Sequence, residues 1–124
     1  MSRDWRVLVV EDDPDGQVVV STILEHLNIR TDLASNAAEA EHLLYASGTT
    51  YNAVVIDLAL PDKDGWEVLS EIMNHPNTAH LPCIAVTAYH TSKLREQAIE
   101  AGFTAYFAKP IDATAFARRL ESLL

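Results

Sequence analysis

The chain has 124 residues, of which 48% are hydrophobic and 22% are charged, and this length and composition fit one globular domain with a single core. Eighteen acidic and nine basic residues give a formal net charge of −9, so the chain repels phosphate backbones and we expect no direct contact with nucleic acid. No apolar segment is long enough for a membrane span and no secretory signal is visible, so we expect a cytoplasmic protein without membrane contact.

Apolar runs of strand length alternate with helical patterns along the chain. Five runs predict strands, at residues 6–10, 30–34, 52–56, 82–86 and 103–107. Apolar residues at three- and four-residue spacing predict five helices, marked by Val18, Val19, Ile23, Leu24 and Leu27; Ala37, Ala40, Leu43 and Leu44; Trp66, Leu69 and Ile72; Leu94, Ala98 and Ile99; Phe116, Leu120, Leu123 and Leu124. Strands that alternate with helices imply right-handed crossovers and a parallel sheet covered on both faces. The pattern predicts an α/β fold of five βα units in one domain, residues 1–124.

Three single residues carry structural expectations. Gly16 falls early in the first predicted helix, where it should lower stability by roughly 1 kcal/mol relative to Ala, and we expect it to lie away from any chemistry. Cys83, the one cysteine, cannot form an internal disulfide and is expected to be a small buried hydrophobe. We expect Trp66 to pack the third helix onto the sheet.

Polar residues stand where the predicted strands end. In open parallel sheets, ligands bind beyond these carboxyl ends. The residues there are Glu11, Asp12, Asp13, Asp57, Thr87 and Lys109. Two unit charges about 4 Å apart interact by roughly 4 kcal/mol at an effective dielectric near 20, so converging carboxylates favour a counter-charge. Carboxylate oxygens and water are the ligands that Mg²⁺ prefers, so the sequence predicts a magnesium site.

Four motifs at these strand ends resemble the receiver domain of two-component response regulators. They are VLVVEDD at 7–13, VVIDLALPDKDG at 54–65, AVTA at 85–88 and YFAKP at 106–110. The resemblance runs from about Val7 to the last residue, with Leu60 where the family usually has Met. It implies a flavodoxin-like, doubly wound parallel sheet with strand order 2-1-3-4-5.

The resemblance also implies the chemistry of the site. Asp57 would accept a phosphoryl group as an acyl phosphate. The Lys109 ammonium and the Thr87 hydroxyl would contact the phosphoryl oxygens, and Lys109–Pro110 would be a cis peptide. Thr87 would then move toward Asp57, Tyr106 would turn inward as the switch aromatic, and the surface of the fourth helix, fifth strand and fifth helix would change.

For the metal, the resemblance implies Asp12 as a direct ligand, Glu11 acting largely through water, Asp57, and the backbone carbonyl of Ala59. A shift by one residue would instead make the acidic pair Asp12 and Asp13. Asp13 stands before a proline at the start of a helix, so capping that helix is the alternative role for its side chain.

The partner implied by the resemblance is a sensor histidine kinase or a histidine phosphotransfer protein, with an unknown downstream protein. The sequence ends with the fifth helix pattern, so we expect either a single-domain regulator or a receiver from a larger protein. A haloacid-dehalogenase-type phosphatase, with DxDx[TV], is less well matched because DLAL lacks the second acid. A nucleotide or flavin binder would need a GxGxxG, a P-loop or a Ser/Thr-rich first loop, which the sequence lacks. A receiver that works without phosphorylation is a further alternative, and in either receiver case we expect a signalling module rather than an enzyme.

Two further positions bear on the lifetime of an acyl phosphate. In the family, the residues two past the phosphorylated Asp and two past the Thr stand beside the path of the attacking water. Here they are Ala59 and Tyr89. Neither side chain positions a water as an acid or amide would, so the resemblance implies slow hydrolysis.

Overall fold

The computed structural model describes residues 4–124 and contains a five-stranded parallel sheet. The strands are β1 (Arg6–Val10), β2 (Arg30–Ala34), β3 (Ala53–Asp57), β4 (Cys83–Thr87) and β5 (Ala105–Ala108). They lie in the order β2-β1-β3-β4-β5, with every neighbouring pair parallel. The predicted flavodoxin-like, doubly wound fold with strand order 2-1-3-4-5 is confirmed.

Five α-helices connect and follow the strands. They are α1 (Pro14–His26), α2 (Ala37–Glu41), α3 (Gly65–Asn74), α4 (Ser92–Ala101) and α5 (Ala113–Leu123), and α2 continues into a π-helical turn at His42–Ala46. Each α-helix begins after a side chain that accepts a hydrogen bond from a backbone N–H of its first turn. These caps are Asp13, Asn36, Asp64, Thr91 and Asp112.

The core has two parts, one on each face of the sheet. Successive strand residues point to opposite faces, so Val54 and Ile56 join one cluster while Ala53 and Val55 join the other. The first cluster packs under α2, α3 and α4, and the second under α1 and α5. Every residue of β3 and β4 is buried, as expected of a parallel sheet covered on both faces.

The predicted positions of two small or aromatic residues are confirmed. Cys83 is buried. Trp66 lies partly buried against the first cluster, and its ring meets that of Phe103 edge-on with centroids 5.8 Å apart. Within residues 4–124, none of the helices combines the length and the apolar character needed to cross a bilayer.

Val18 and Val19 lie in α1 as predicted, but they are 62% and 45% exposed, because the buried stripe of the helix follows Val20, Ile23 and Leu24. One strand boundary was wrong in detail. The fifth strand begins at residue 105 rather than 103, because residue 103 still closes the end of α4 through its N–H, which donates to the Ala98 carbonyl.

The third and fourth strands each lie one residue later than predicted. The ladder extends through Asp57 and Thr87, which pair with Val86 and Ala108 respectively. Both polar residues are therefore the last residues of buried strands rather than the first residues of loops. Their backbones are held by the sheet itself.

Candidate functional site

The carboxyl edge of the sheet gathers the polar residues that the sequence placed there. β1 leads into Glu11, β3 ends at Asp57, β4 ends at Thr87, and Lys109 follows β5. Glu11, Asp57 and Thr87 are only 1%, 5% and 1% exposed. Carboxylates are rarely buried this deeply unless they are paired, so this edge is the candidate functional site.

Lys109 joins two of these acids. Its ammonium nitrogen donates to Glu11 Oε1 and, at 2.9 Å, to Asp57 Oδ2. Its backbone N–H donates to the Thr87 carbonyl at 2.8 Å, which fixes the residue against the end of β4. The Lys109–Pro110 peptide is cis, as the resemblance implied. Burial by itself lowers the pKa of Lys109, but its hydrogen bonds to Glu11 and Asp57 outweigh burial and raise the pKa, so the side chain stays an ammonium.

Both oxygens of the Asp57 carboxylate have donors. Oδ1 accepts from the Ala59 N–H at 2.8 Å, and Oδ2 accepts from Lys109. Burial would raise the pKa of Asp57, but the neighbouring Glu11 and the hydrogen bonds from Lys109 and the Ala59 N–H together lower it. Asp57 is therefore an oriented carboxylate, the charge state in which an acid can act as a nucleophile.

Glu11 has one oxygen without a partner. Oε1 accepts from Lys109, while Oε2 is buried and has no hydrogen-bond partner among the described residues. Burial, followed by the neighbouring Asp57 carboxylate, raises the pKa of Glu11 to about 7 against the opposing effect of Lys109. An unpaired buried carboxylate oxygen needs either a proton or a cation.

The donor set suits a divalent cation with oxygen ligands. Glu11, Asp12 and Asp57 each offer a carboxylate oxygen, and these oxygens lie within 4.8 Å of one another. Lys109 is the ammonium that reaches into this group, and it leaves Glu11 Oε2 unpaired. Three carboxylates with one exposed member, Asp12, leave room for water on a small hard cation, so the residues fit Mg²⁺.

Asp13 is turned toward helix α1. Its Oδ1 accepts from the Asp15 N–H at 3.1 Å and caps the helix. Of the two acidic pairs left open by the sequence, Glu11 and Asp12 are the pair found with Asp57. Ala59 is exposed beside this group, and its N–H contacts Asp57.

Thr87 and Tyr106 are differently placed. The Thr87 hydroxyl accepts from the Tyr89 N–H at 3.0 Å. The Tyr106 ring is already inward, at 6% exposure, with its hydroxyl oxygen 3.0 Å from Nδ1 of His90. His90 thus supplies a partner for the buried Tyr106 hydroxyl, and the movement of Thr87 and Tyr106 on phosphorylation stays a prediction.

Gly16 touches the site, contrary to expectation. A Cβ at this position would collide with the Glu11 carboxylate, lying 2.8 Å from its Cδ. The Glu11 carboxylate thus occupies the space that a side chain at position 16 would fill. Sequence spacing gave no signal of this contact, because residues 11 and 16 meet only when α1 folds back against the end of β1.

The loop after Asp57 is tied to α2 by two residues that the sequence reading did not single out. The Asp62 carboxylate accepts from the Ala37 and Ala38 N–H groups at 2.9 and 3.0 Å. The Lys63 ammonium contacts Glu41 at 2.6 Å and Glu71 at 2.5 Å. The partners of these two residues in α2 lie more than twenty residues away in the sequence, so they leave no local signal.

Gly65 closes this loop, and replacing it by Ala should lower the free energy of unfolding by about 2 kcal/mol. A Cβ there would stand 2.5 Å from the Asp57 carbonyl oxygen and 2.9 Å from Leu58 Cα, and neither backbone atom can yield easily. The matched control is Gly48→Ala, where the new methyl meets nothing within 4 Å and the cost comes from the φ of 75°. Urea unfolding of both variants is the measurement. A smaller loss at Gly65 than at Gly48 would contradict the close approach.

Comparison with known proteins agrees with this arrangement. The sequence profile of the response regulator receiver domain matches residues 7–121. A protein of Leptolyngbya boryana, described as an uncharacterized 14.6 kDa protein in the sodA1 3' region, is 35% identical over 115 residues, or 93% of this chain and 86% of that protein. The signal transduction histidine-protein kinase BarA of Escherichia coli K12 is 29% identical over 118 residues, which cover 95% of this chain but 12% of the kinase.

Solved structures give the same answer. The receiver domain of the sensor histidine kinase PA1611 from Pseudomonas aeruginosa PAO1, which has a magnesium ion coordinated in its active-site cleft, matches with a TM-score of 0.85 and 31% identity over 98% of both chains. The fold, the acidic edge and the profile match over residues 7–121 agree. The chain belongs to the response regulator receiver domain family of two-component signalling.

Proposed function

We propose that the chain is a phosphoacceptor whose Asp57 receives a phosphoryl group from the phosphohistidine of a sensor histidine kinase or a histidine phosphotransfer protein. The observation that carries this proposal is the buried Asp57 carboxylate, held by Lys109 and the Ala59 N–H beside an acidic group with an unpaired oxygen. Histidine kinases among the relatives support it. The proposal treats residues 1–124 as one receiver unit.

The proposed transfer is a single displacement. An Asp57 carboxylate oxygen forms the new bond to phosphorus while the P–N bond of phosphohistidine breaks, and the released imidazole nitrogen takes up a proton. Lys109 holds its ammonium against the phosphoryl oxygens, and the Thr87 hydroxyl donates to one of them. This is catalysis by positioning and charge, which is the larger part of phosphoryl transfer in general.

The proposed cofactor is Mg²⁺. Asp12 and Asp57 would bind it directly, together with the Ala59 carbonyl, and Glu11 would act largely through water. Once bound, the ion neutralises charge on the phosphoryl oxygens. The unpaired Oε2 of Glu11 and the cluster of three carboxylates support this assignment.

The proposed output is a change of surface rather than turnover of an external substrate. Movement of Thr87 toward phosphorylated Asp57 would reshape the surface formed by α4, β5 and α5, where a downstream protein would bind. Such a change needs only a few kcal/mol of differential interaction between the two states.

Position 59, two past Asp57, is an alanine rather than a second acid, which argues against the phosphatase alternative.

Intact-mass measurement tests the proposal. Incubation with acetyl phosphate and Mg²⁺ should add one phosphoryl group to the chain, and chelation of the metal with EDTA should prevent the gain. The matched control is the same reaction with inorganic phosphate, which has no activated leaving group and should add nothing. An unchanged mass with acetyl phosphate and Mg²⁺ would refute the assignment.

The acyl phosphate should be long-lived, and the double variant Ala59→Asn with Tyr89→Glu should shorten its lifetime about tenfold, the effect of about 1.4 kcal/mol in the barrier. Neither native side chain would position a water beside Asp57 as an acid or an amide could, and Tyr89 is 74% exposed. The readout is decay of the phosphorylated mass after the donor is removed. Tyr89→Phe, which keeps the ring, should decay like wild type. If the double variant decays no faster, these positions do not control the water.

A further inference from the structure

Tyr106 lies inward, and one contact accounts for its polar end. The ring belongs to the first core cluster, where its residue pairs with Ala85 across the sheet. The hydroxyl oxygen lies 3.0 Å from Nδ1 of His90, and the two ring centroids are 5.5 Å apart. Both polar and ring atoms of His90 therefore meet Tyr106.

The chemistry of the pair gives this contact its role. A buried hydroxyl without a partner is unfavourable, whereas a hydrogen bond stabilises burial modestly. Burial raises the pKa of Tyr106, so the phenol stays protonated at neutral pH and can donate to an unprotonated Nδ1. The positive charge of Arg95 partly opposes this rise in the pKa of Tyr106. Arg95 has only donor groups, so it cannot accept a hydrogen bond from the phenol.

The position of His90 connects this contact to the phosphorylation edge. It lies three residues after Thr87, whose hydroxyl already accepts from the intervening Tyr89 N–H, and it directly precedes Thr91, the cap of α4. His90 is itself exposed, so its ring can leave without disturbing the core. Thr87 and His90 are therefore linked by a short segment that contains one hydrogen bond, from the Tyr89 N–H to the Thr87 hydroxyl.

We propose that His90 is a positioning residue that holds Tyr106 buried in the unphosphorylated chain and so sets how far the α4, β5 and α5 surface is already switched. Tyr106 lines the groove between α4 and α5 together with Arg95, Ile99, Phe107 and Arg119. The position of the Tyr106 ring therefore affects the shape of that groove. The link to signalling rests on the proposed phosphorylation of Asp57, but the positioning itself does not.

The test uses the full chain without metal or phosphodonor. Labelling with 3-fluorotyrosine gives four fluorine resonances, since the chain has four tyrosines. The Tyr106 resonance is identified by its loss in Tyr106→Phe. His90→Ala should raise the solvent-exposed population of Tyr106 by about two- to tenfold, the range that one hydrogen bond supplies. Amide exchange over residues 105–108 should quicken with it.

Two controls separate positioning from a general loss of stability. His90→Gln keeps a hydrogen-bonding group and should preserve the buried ring, whereas His80→Ala, on the loop before β4, should leave it unchanged. In the Tyr106→Phe background, His90→Ala should add no further change in exchange over residues 105–108, because the hydroxyl is already gone. Equal Tyr106 signals in wild type and His90→Ala would overturn the proposal.

The two proposals fail separately. If the chain takes up no phosphoryl group but His90→Ala still exposes Tyr106, the phosphoacceptor assignment is refuted and the role of His90 stands. If phosphorylation occurs and His90→Ala leaves Tyr106 buried, the role of His90 is refuted and the phosphoacceptor assignment stands. If both hold, His90→Ala should enlarge the difference in exchange over residues 105–108 between the phosphorylated and unmodified chains.

Discussion

The Asp57→Asn variant should gain no phosphoryl group from acetyl phosphate in the presence of Mg²⁺, while the wild-type chain gains one. An amide is not nucleophilic enough to displace the donor, so the expected effect is complete loss. The replacement is nearly isosteric, and the Asn carbonyl can still accept from the Ala59 N–H that Oδ1 accepts from now. The fold should therefore survive, and intact mass is the measurement.

A matched variant at the same edge controls for loss of charge. Asp13→Asn also removes one carboxylate, but Asn caps a helix about as well as Asp, so α1 should keep its start and the mass gain should persist. If Asp57→Asn is modified at the wild-type rate, the nucleophile is a different residue.

Asp12→Ala should weaken Mg²⁺ binding by at least about 100-fold, because it removes a direct ligand, and removing residues outside the ligand shell already costs about 10- to 100-fold. Asp12 is the exposed member of the carboxylate group, able to contact a hydrated ion directly. Glu11 already gives one oxygen to Lys109, so Glu11→Ala should cost less affinity. Calorimetric titration with Mg²⁺ measures all of these affinities.

Asp13→Ala is the informative comparison for this prediction. It should leave Mg²⁺ affinity near wild type and instead lower stability by about 1 kcal/mol, because α1 loses its cap. A larger loss of Mg²⁺ affinity in Asp13→Ala than in Glu11→Ala would show that the acidic pair is Asp12 and Asp13, contrary to the geometry described above.

Local pattern was enough for the order and type of the elements. The apolar runs of β1, β3 and β4 are buried on both faces, so they stand out as strands without knowledge of their neighbours. Capping residues such as Asp13 and Asp64 mark the starts of helices, because their side chains accept hydrogen bonds from backbone N–H groups in the first turn. Both signals depend on residues that are close together in the sequence, so they can be recognised without the tertiary structure.

Strand boundaries needed the neighbouring strands. Asp57 is part of β3 because the sheet ladder continues past it, with the Leu58 N–H donating to the Val86 carbonyl at 3.0 Å. The same holds for Thr87 beside Ala108. A strand that ends one residue later has nearly the same apolar pattern, so the sequence does not predict the exact boundary. The later boundary nevertheless places Asp57 and Thr87 on backbone that the sheet holds rigid.

The acidic edge itself followed from the sequence alone, because parallel strands bring their carboxyl ends to one side of a sheet and Glu11, Asp57, Thr87 and Lys109 all stand at such ends. Only the tertiary structure decided how these groups pair. The bridge from Lys109 to Glu11 spans 98 residues, that from Asp62 to Ala37 spans 25, and that from Tyr106 to His90 spans 16. Such partners are set by crossing connections and side-chain packing, which leave no spacing in the chain. The unpaired oxygen of Glu11 and the contact between Tyr106 and His90 could therefore be found only in the folded molecule.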